Sequence, residues 1–139
     1  MVSCSGPQPG LDVKVFHLRE AGEVKEKNEV VRGEHLKRLY GAVSMEERRE
    51  RLGLYYTVRW NGPAGREQDP VKIVFDYRQA ATGAKILTMT QEQPGTARGS
   101  VEFAVTGKAY REGGRVLAWR MRLYRGGDLV DTKYSYLWD

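Results

Sequence analysis

Apolar and polar residues alternate with a period of two over most of this chain, the mark of half-buried β-strands. The pattern is clearest at the C-terminal end. Arg115-Val-Leu-Ala-Trp-Arg-Met-Arg-Leu-Tyr-Arg125 leads into Gly126-Gly127, and Asp128-Leu-Val-Asp-Thr-Lys-Tyr-Ser-Tyr-Leu-Trp138 follows. Two alternating runs around a two-glycine loop predict a β-hairpin. Counted outward from the loop, the register sets Arg125 against Asp128, Leu123 against Val130, Arg122 against Asp131, Trp119 against Tyr134 and Leu117 against Tyr136. One face then carries Leu117, Trp119, Met121, Leu123, Val130, Tyr134 and Tyr136 into the core. Trp119 is central on it, with Val58 or Phe75 as partners across the core. The other face carries Arg120, Arg122, Asp131 and Lys133, with Arg122 and Asp131 as an exposed pair.

Further strands follow from the same alternation. Residues 11–18 put Leu11, Val13 and Val15 on one side, with His17 continuing it as a packed or surface side chain. Residues 54–60 turn Leu54, Tyr56, Val58 and Trp60 one way and Tyr55, Thr57 and Arg59 the other. Val71, Ile73, Phe75 and Tyr77 line a strand after a polar turn region, 61–70, whose tip is expected to be mobile. A strand at 85–90 and one through Val101, Phe103 and Val105 are separated by the Pro94-Gly95 turn. Ser44-Met-Glu-Glu-Arg-Arg-Glu-Arg-Leu-Gly53 predicts a short surface helix. Ser44 and Glu47 form its capping box, Glu47 pairs with Arg51, and Gly53 is its left-handed stop. Residues 19–38 are dense in charge and follow neither period; one or two exposed strands with a loop are expected, with an isolated helix as the competing reading. The sum is an all-β chain of seven or eight strands in an antiparallel sandwich, with one helix near 44–52.

The length fits one domain, residues 11–139, behind a flexible, turn-rich tail at 1–10. A formal net charge of +5 is spread along the chain. Residues 1–53 hold ten basic and nine acidic side chains, 54–98 six and four, and 99–139 seven and five. That spread weakens a nucleic-acid reading, although folding can still gather cations on one face. One cysteine, Cys4, excludes an internal disulfide. Two histidines leave little for metal or general-base chemistry.

The strand order resembles an immunoglobulin-like or fibronectin-type-III-like domain. Trp60 closes a middle strand, the last two strands form a long hairpin, and Tyr110 stands in the loop where such folds carry a corner tyrosine. Tyr77-Arg-Gln-Ala-Ala-Thr-Gly83 and Val116-Leu-Ala-Trp-Arg120 resemble segments of small bacterial lipoproteins. That likeness implies an envelope location and no activity. Val2-Ser3-Cys4-Ser5 likewise resembles the end of a lipoprotein signal, in which Cys4 would receive the lipid. The apolar stretch that precedes such a cysteine is not in this sequence. The alternative is a free cysteine in a flexible start, and a cytoplasmic chain if no signal lies upstream.

Catalytic signatures are missing. There is no nucleophile elbow and no phosphate loop, and the paired carboxylates Glu46 and Glu47 point apart on a surface helix. No cofactor, metal or catalytic residue is expected. Tyr55 and Tyr124, on outward faces, are the candidate ligand surface. The leading expectation is a non-enzymatic envelope domain binding another protein; a carbohydrate-binding module comes second and a nucleic-acid binder third. Membrane attachment would come only through a lipid on Cys4, and the sequence does not indicate an oligomeric state.

Overall fold

A computed structural model describes residues 10–19, 29–42, 44–62 and 65–138. Seven strands and three helices follow in chain order: β1 (Gly10–Leu18), α1 (Glu29–Leu39), α2 (Met45–Glu50), β2 (Gly53–Asn61), β3 (Val71–Gln79), β4 (Leu87–Gln93), β5 (Arg98–Thr106), α3 (Gly107–Gly113), β6 (Val116–Arg125) and β7 (Asp128–Tyr134). The strands form two antiparallel sheets, ordered β1-β2-β5 and β4-β3-β6-β7. Residues 1–9, which hold Cys4 and most of the tail expected to be flexible, lie outside the described residues, as do 20–28, 43, 63–64 and 139, while Gly10 already belongs to β1.

The core between the sheets is the set of alternating positions. Leu54, Tyr56, Val58 and Trp60 of β2 meet Val71, Ile73, Phe75 and Tyr77 of β3, with Val101, Phe103, Val105, Met121 and Leu123 around them. Phe75 stacks on Tyr77 at 4.8 Å and lies 4.6 Å from Tyr56 across the interface. Trp60 fits because its cross-strand neighbour is Gly99: a Cβ there would come within 2.2 Å of the indole.

The last hairpin forms around Gly126 and Gly127, whose φ angles of 56° and 91° suit a tight, strand-twisted turn. Its register departs from the expected one after Tyr124↔Leu129. A bulge at Val130 puts Leu123 opposite Asp131, Arg122 opposite Thr132 and Arg120 opposite Tyr134. One extra residue exchanges the faces of the rest of β7. Asp131 therefore turns inward, where its Oδ2 accepts the Leu11 amide at 2.8 Å and ties β7 to β1. Tyr134 turns outward and Tyr136, beyond the strand, is 98% exposed, so neither belongs to the core. Arg122 and Asp131 do not pair. Leu117 is also exposed. Trp119 is a partly buried rim residue whose partner across the interface is Tyr56, at 5.9 Å edge-on, in place of Val58 or Phe75.

Three further expectations are corrected. Within 19–38, residues 29–38 take the competing helical reading in place of strands: α1 buries His35 and Leu39, four residues apart, and leaves Val30, Val31 and Leu36 at the surface. Tyr110 lies in α3 and bonds His17 through its hydroxyl, so it is no corner tyrosine held to the backbone. Gly53 keeps a positive φ of 145° that favours glycine, but it opens β2, and the C-cap of α2 is Arg51; Ser44 does cap α2, accepting the Glu47 amide at 3.0 Å. Arg51 turns away from Glu47 to donate to the carbonyls of Arg38 and Tyr40, which end α1. The strand expected at 85–90 runs from Leu87 to Gln93.

Candidate functional site

The outer face of the four-stranded sheet is built in rows across the strands. Glu92, Lys72, Tyr124 and Leu129 make one row; Thr90, Val74, Arg122 and Thr132 the next; Thr88, Asp76, Arg120 and Tyr134 the third. Asp76 is the keystone. It is 3% exposed although it faces away from the core. Its Oδ1 accepts Thr88 Oγ1 at 2.7 Å, and its Oδ2 accepts Arg120 Nη2 and Arg122 Nη2, each at 2.9 Å, with Arg120 Nε at 3.2 Å. Burial raises the Asp76 pKa, but the hydrogen bonds from Thr88 and Arg120 and the charges of Arg122 and Arg120 outweigh it, leaving the carboxyl below its ordinary value. Two guanidiniums thus share one carboxylate, and the cluster keeps a positive charge at the surface.

Aromatic rings are threaded between these cations. Lys72 Nζ lies 5.1 Å from the Tyr124 ring centre and the Arg122 guanidinium 5.9 Å, while Arg122 Nη1 also bonds Tyr124 Oη at 3.1 Å. Trp138 folds back beneath Arg120 and Arg78, at 4.9 and 5.5 Å, and Arg78 donates to the Leu137 carbonyl at 3.1 Å. Tyr134, Tyr136 and Leu137 stand exposed at the margin of this face.

Of the two tyrosines expected at a ligand surface, only Tyr124 stands on this outer face. Tyr55 does point away from the inter-sheet core, but it is 9% exposed under α1, in a second cluster with Leu18 and Leu39. The Arg38 guanidinium covers its ring at 4.4 Å, and its hydroxyl donates to the Arg51 carbonyl at 2.5 Å. Burial pushes its pKa up. The arginines and Asp76 were visible in the alternation only as outward polar positions. Nothing in the sequence reveals that Asp76 collects partners from 44 and 46 residues away.

Two polar clusters brace the ends of the sheets. Arg125, 0% exposed, donates to the carbonyls of Arg66 and Ala97 at 3.1 and 3.2 Å. Arg66 returns a bond to the Arg125 carbonyl at 2.8 Å and pairs with Asp69 and Asp128. Burial pulls the Arg125 pKa down, against the upward pull of Glu67 and Asp69. At the other end, His17 Nε2 lies 2.6 Å from Tyr110 Oη, and its Nδ1 accepts Arg19 Nε at 3.0 Å. With Nδ1 accepting, the neutral ring carries its proton on Nε2. Burial and Arg19 lower the His17 pKa.

Among the described residues no cluster of histidine, cysteine or carboxylate side chains could hold a metal ion, and no helix is long and apolar enough to cross a membrane. Comparison with protein-family models, with curated proteins and with solved structures finds no match to this chain.

Proposed function

We propose that this chain is a non-enzymatic binding domain of immunoglobulin-like type, and that it docks another protein, one presenting an acidic surface, through the outer face of its four-stranded sheet. One observation carries the reading: Arg78, Arg120, Arg122, Tyr124 and Trp138 interleave on that face, with Tyr134 and Tyr136 exposed beside them. Arginine, tyrosine and tryptophan dominate the energetic centres of protein interfaces. Asp76 holds two of the arginines in place before any partner arrives, which reduces the ordering cost of association. The immunoglobulin-like reading is supported by the strand order. β4 sits with β3, β6 and β7, as the additional strand of variable-type domains sits with their C, F and G strands. An envelope location, with a lipid on Cys4, belongs to the same proposal. Its test is whether Cys4→Ser abolishes membrane fractionation when the gene is expressed with whatever precedes residue 1.

The docking test compares the wild-type chain with a Tyr124→Ala/Trp138→Ala variant and an Arg48→Ala control on α2. A protein retained by wild type and control, and lost by the face variant, supports the reading. Retention of heparin or single-stranded DNA with a steep salt dependence would replace it with polyanion binding. Glycan-array binding lost on Tyr124→Ala would replace it with a carbohydrate module.

A further inference from the structure

The outer side of the three-stranded sheet is covered by α1 at one end only. Toward the start of the helix a groove of about 340 Å³ remains between α1 and strands β1 and β2. Its apolar surface comes from Val15, Phe16 and Val30, and its rim from Lys14, Lys37 and Arg59. Those three cations are exposed, and among the described residues none has a carboxylate within ion-pair distance. Asp12, the cross-strand neighbour of Arg59, does not reach it. The one carboxylate in the lining, Glu34, is taken by Arg38 at 3.3 Å, and Arg38 also pairs with Glu102. Among the described residues the groove therefore combines an apolar floor with surplus positive charge. Its size is that of a small-molecule site.

We propose that this groove binds a small amphipathic anion, of the medium-chain carboxylate class, with the head group between Lys14, Lys37 and Arg59 and the chain against Val15, Phe16 and Val30. A neutral apolar ligand would desolvate the cations without compensation. A bare anion would gain nothing from the floor. Both features are used only when charge and chain are joined in one molecule.

Isothermal titration with decanoate, 1-decanol and inorganic phosphate separates these cases. Decanoate is expected to bind one-to-one, at least tenfold more tightly than either of the others. Lys14→Gln/Arg59→Gln should weaken decanoate at least tenfold, and the far-side Tyr124→Ala should leave it unchanged. Both groove side chains are exposed, so the double variant is expected to keep the wild-type circular dichroism spectrum and melting temperature. No saturable decanoate binding, equal binding of decanol or phosphate, or indifference to the double substitution would each overturn the proposal. The site shares no residue with the docking face, so either reading can fail alone.

Discussion

The outward sides of the two sheets solve the same problem differently. Each has a central strand with a residue that faces away from the core yet is buried. On the three-stranded sheet that residue is Tyr55, and a helix covers it. On the four-stranded sheet it is Asp76, and the flexible side chains of its own neighbours cover it. A helix is held by its buried positions, here His35 and Leu39. An ionic cover is held by one carboxylate, so its stability is concentrated in a single side chain and its upper surface stays open to a partner. The difference separates a face covered by a whole helix from one covered by side chains that stay partly exposed.

Removing the keystone should have the largest effect. Asp76→Ala leaves two arginines without their shared anion, and breaking a buried pair typically costs about 3–5 kcal/mol; a urea midpoint shift of that size is expected. Arg122→Ala should cost less, about 1.5–3 kcal/mol for one charge-assisted bond, because Arg120 still neutralises Asp76. If the two variants prove equal, the carboxylate is not the shared centre.

Acid should weaken the same face. The folded-state pKa of Asp76 lies below its unfolded value, so its contribution is present above the ordinary carboxylate range and is lost as pH falls through the depressed folded value. His17 acts earlier. Its folded pKa lies below the ordinary 6.5, so stability is complete above that value and declines as pH drops from there toward the folded one. Denaturation midpoints followed from neutral to acidic pH should show two phases, with Asp76→Asn reducing the lower, to which Glu67 also contributes, and His17→Gln removing the upper.

On the helix-covered side, Tyr55→Phe loses only the bond to the Arg51 carbonyl and keeps the ring under Arg38. About 0.5–1.5 kcal/mol is expected from the melting temperature. The smallest change should be Tyr136→Ala, within about 0.5 kcal/mol of wild type by urea titration, because the side chain is 98% exposed. A loss of binding without a loss of stability in that variant would place Tyr136 within the docking surface.

How much of this was readable depends on how local each cause is. The inner faces of β2, β3 and β5 follow from alternation, and the turn at Gly126-Gly127 from its residues, because each signal lies within one strand or one turn. The α2 cap is equally local. The bulge at Val130 has no such mark. It accompanies an Asp131–Leu11 bond that spans 120 residues, and a single added residue was enough to put Tyr134 and Asp131 on the wrong faces. Helix α1 was obscured because Val30, Val31 and Leu36 are exposed, while its buried positions are a histidine, His35, and Leu39. Asp76 sits at an outward polar position and Arg125 was read only as the partner of Asp128; the groups that permit their burial come from distant strands and loops. On the outer face of the four-stranded sheet, Arg120, Arg122 and Tyr124 were legible as outward positions, but the carboxylate that joins the arginines was not.

Arg125 beside the turn of the last hairpin, and Arg66 that bonds it from the segment before β3, carry a consequence for digestion. By sequence, Arg125-Gly126-Gly127 is an inviting tryptic site: a basic residue at the tip of an exposed turn. A protease must take that arginine into its specificity pocket, and here the guanidinium is wholly inside, holding the carbonyls of Arg66 and Ala97 while Arg66 holds its own. Cutting after Arg125 therefore requires the sheet to open first. The rate of that one cleavage is a built-in clock for native-state opening, and a ligand that stabilises the fold should slow it while exposed sites elsewhere are cut at an unchanged pace.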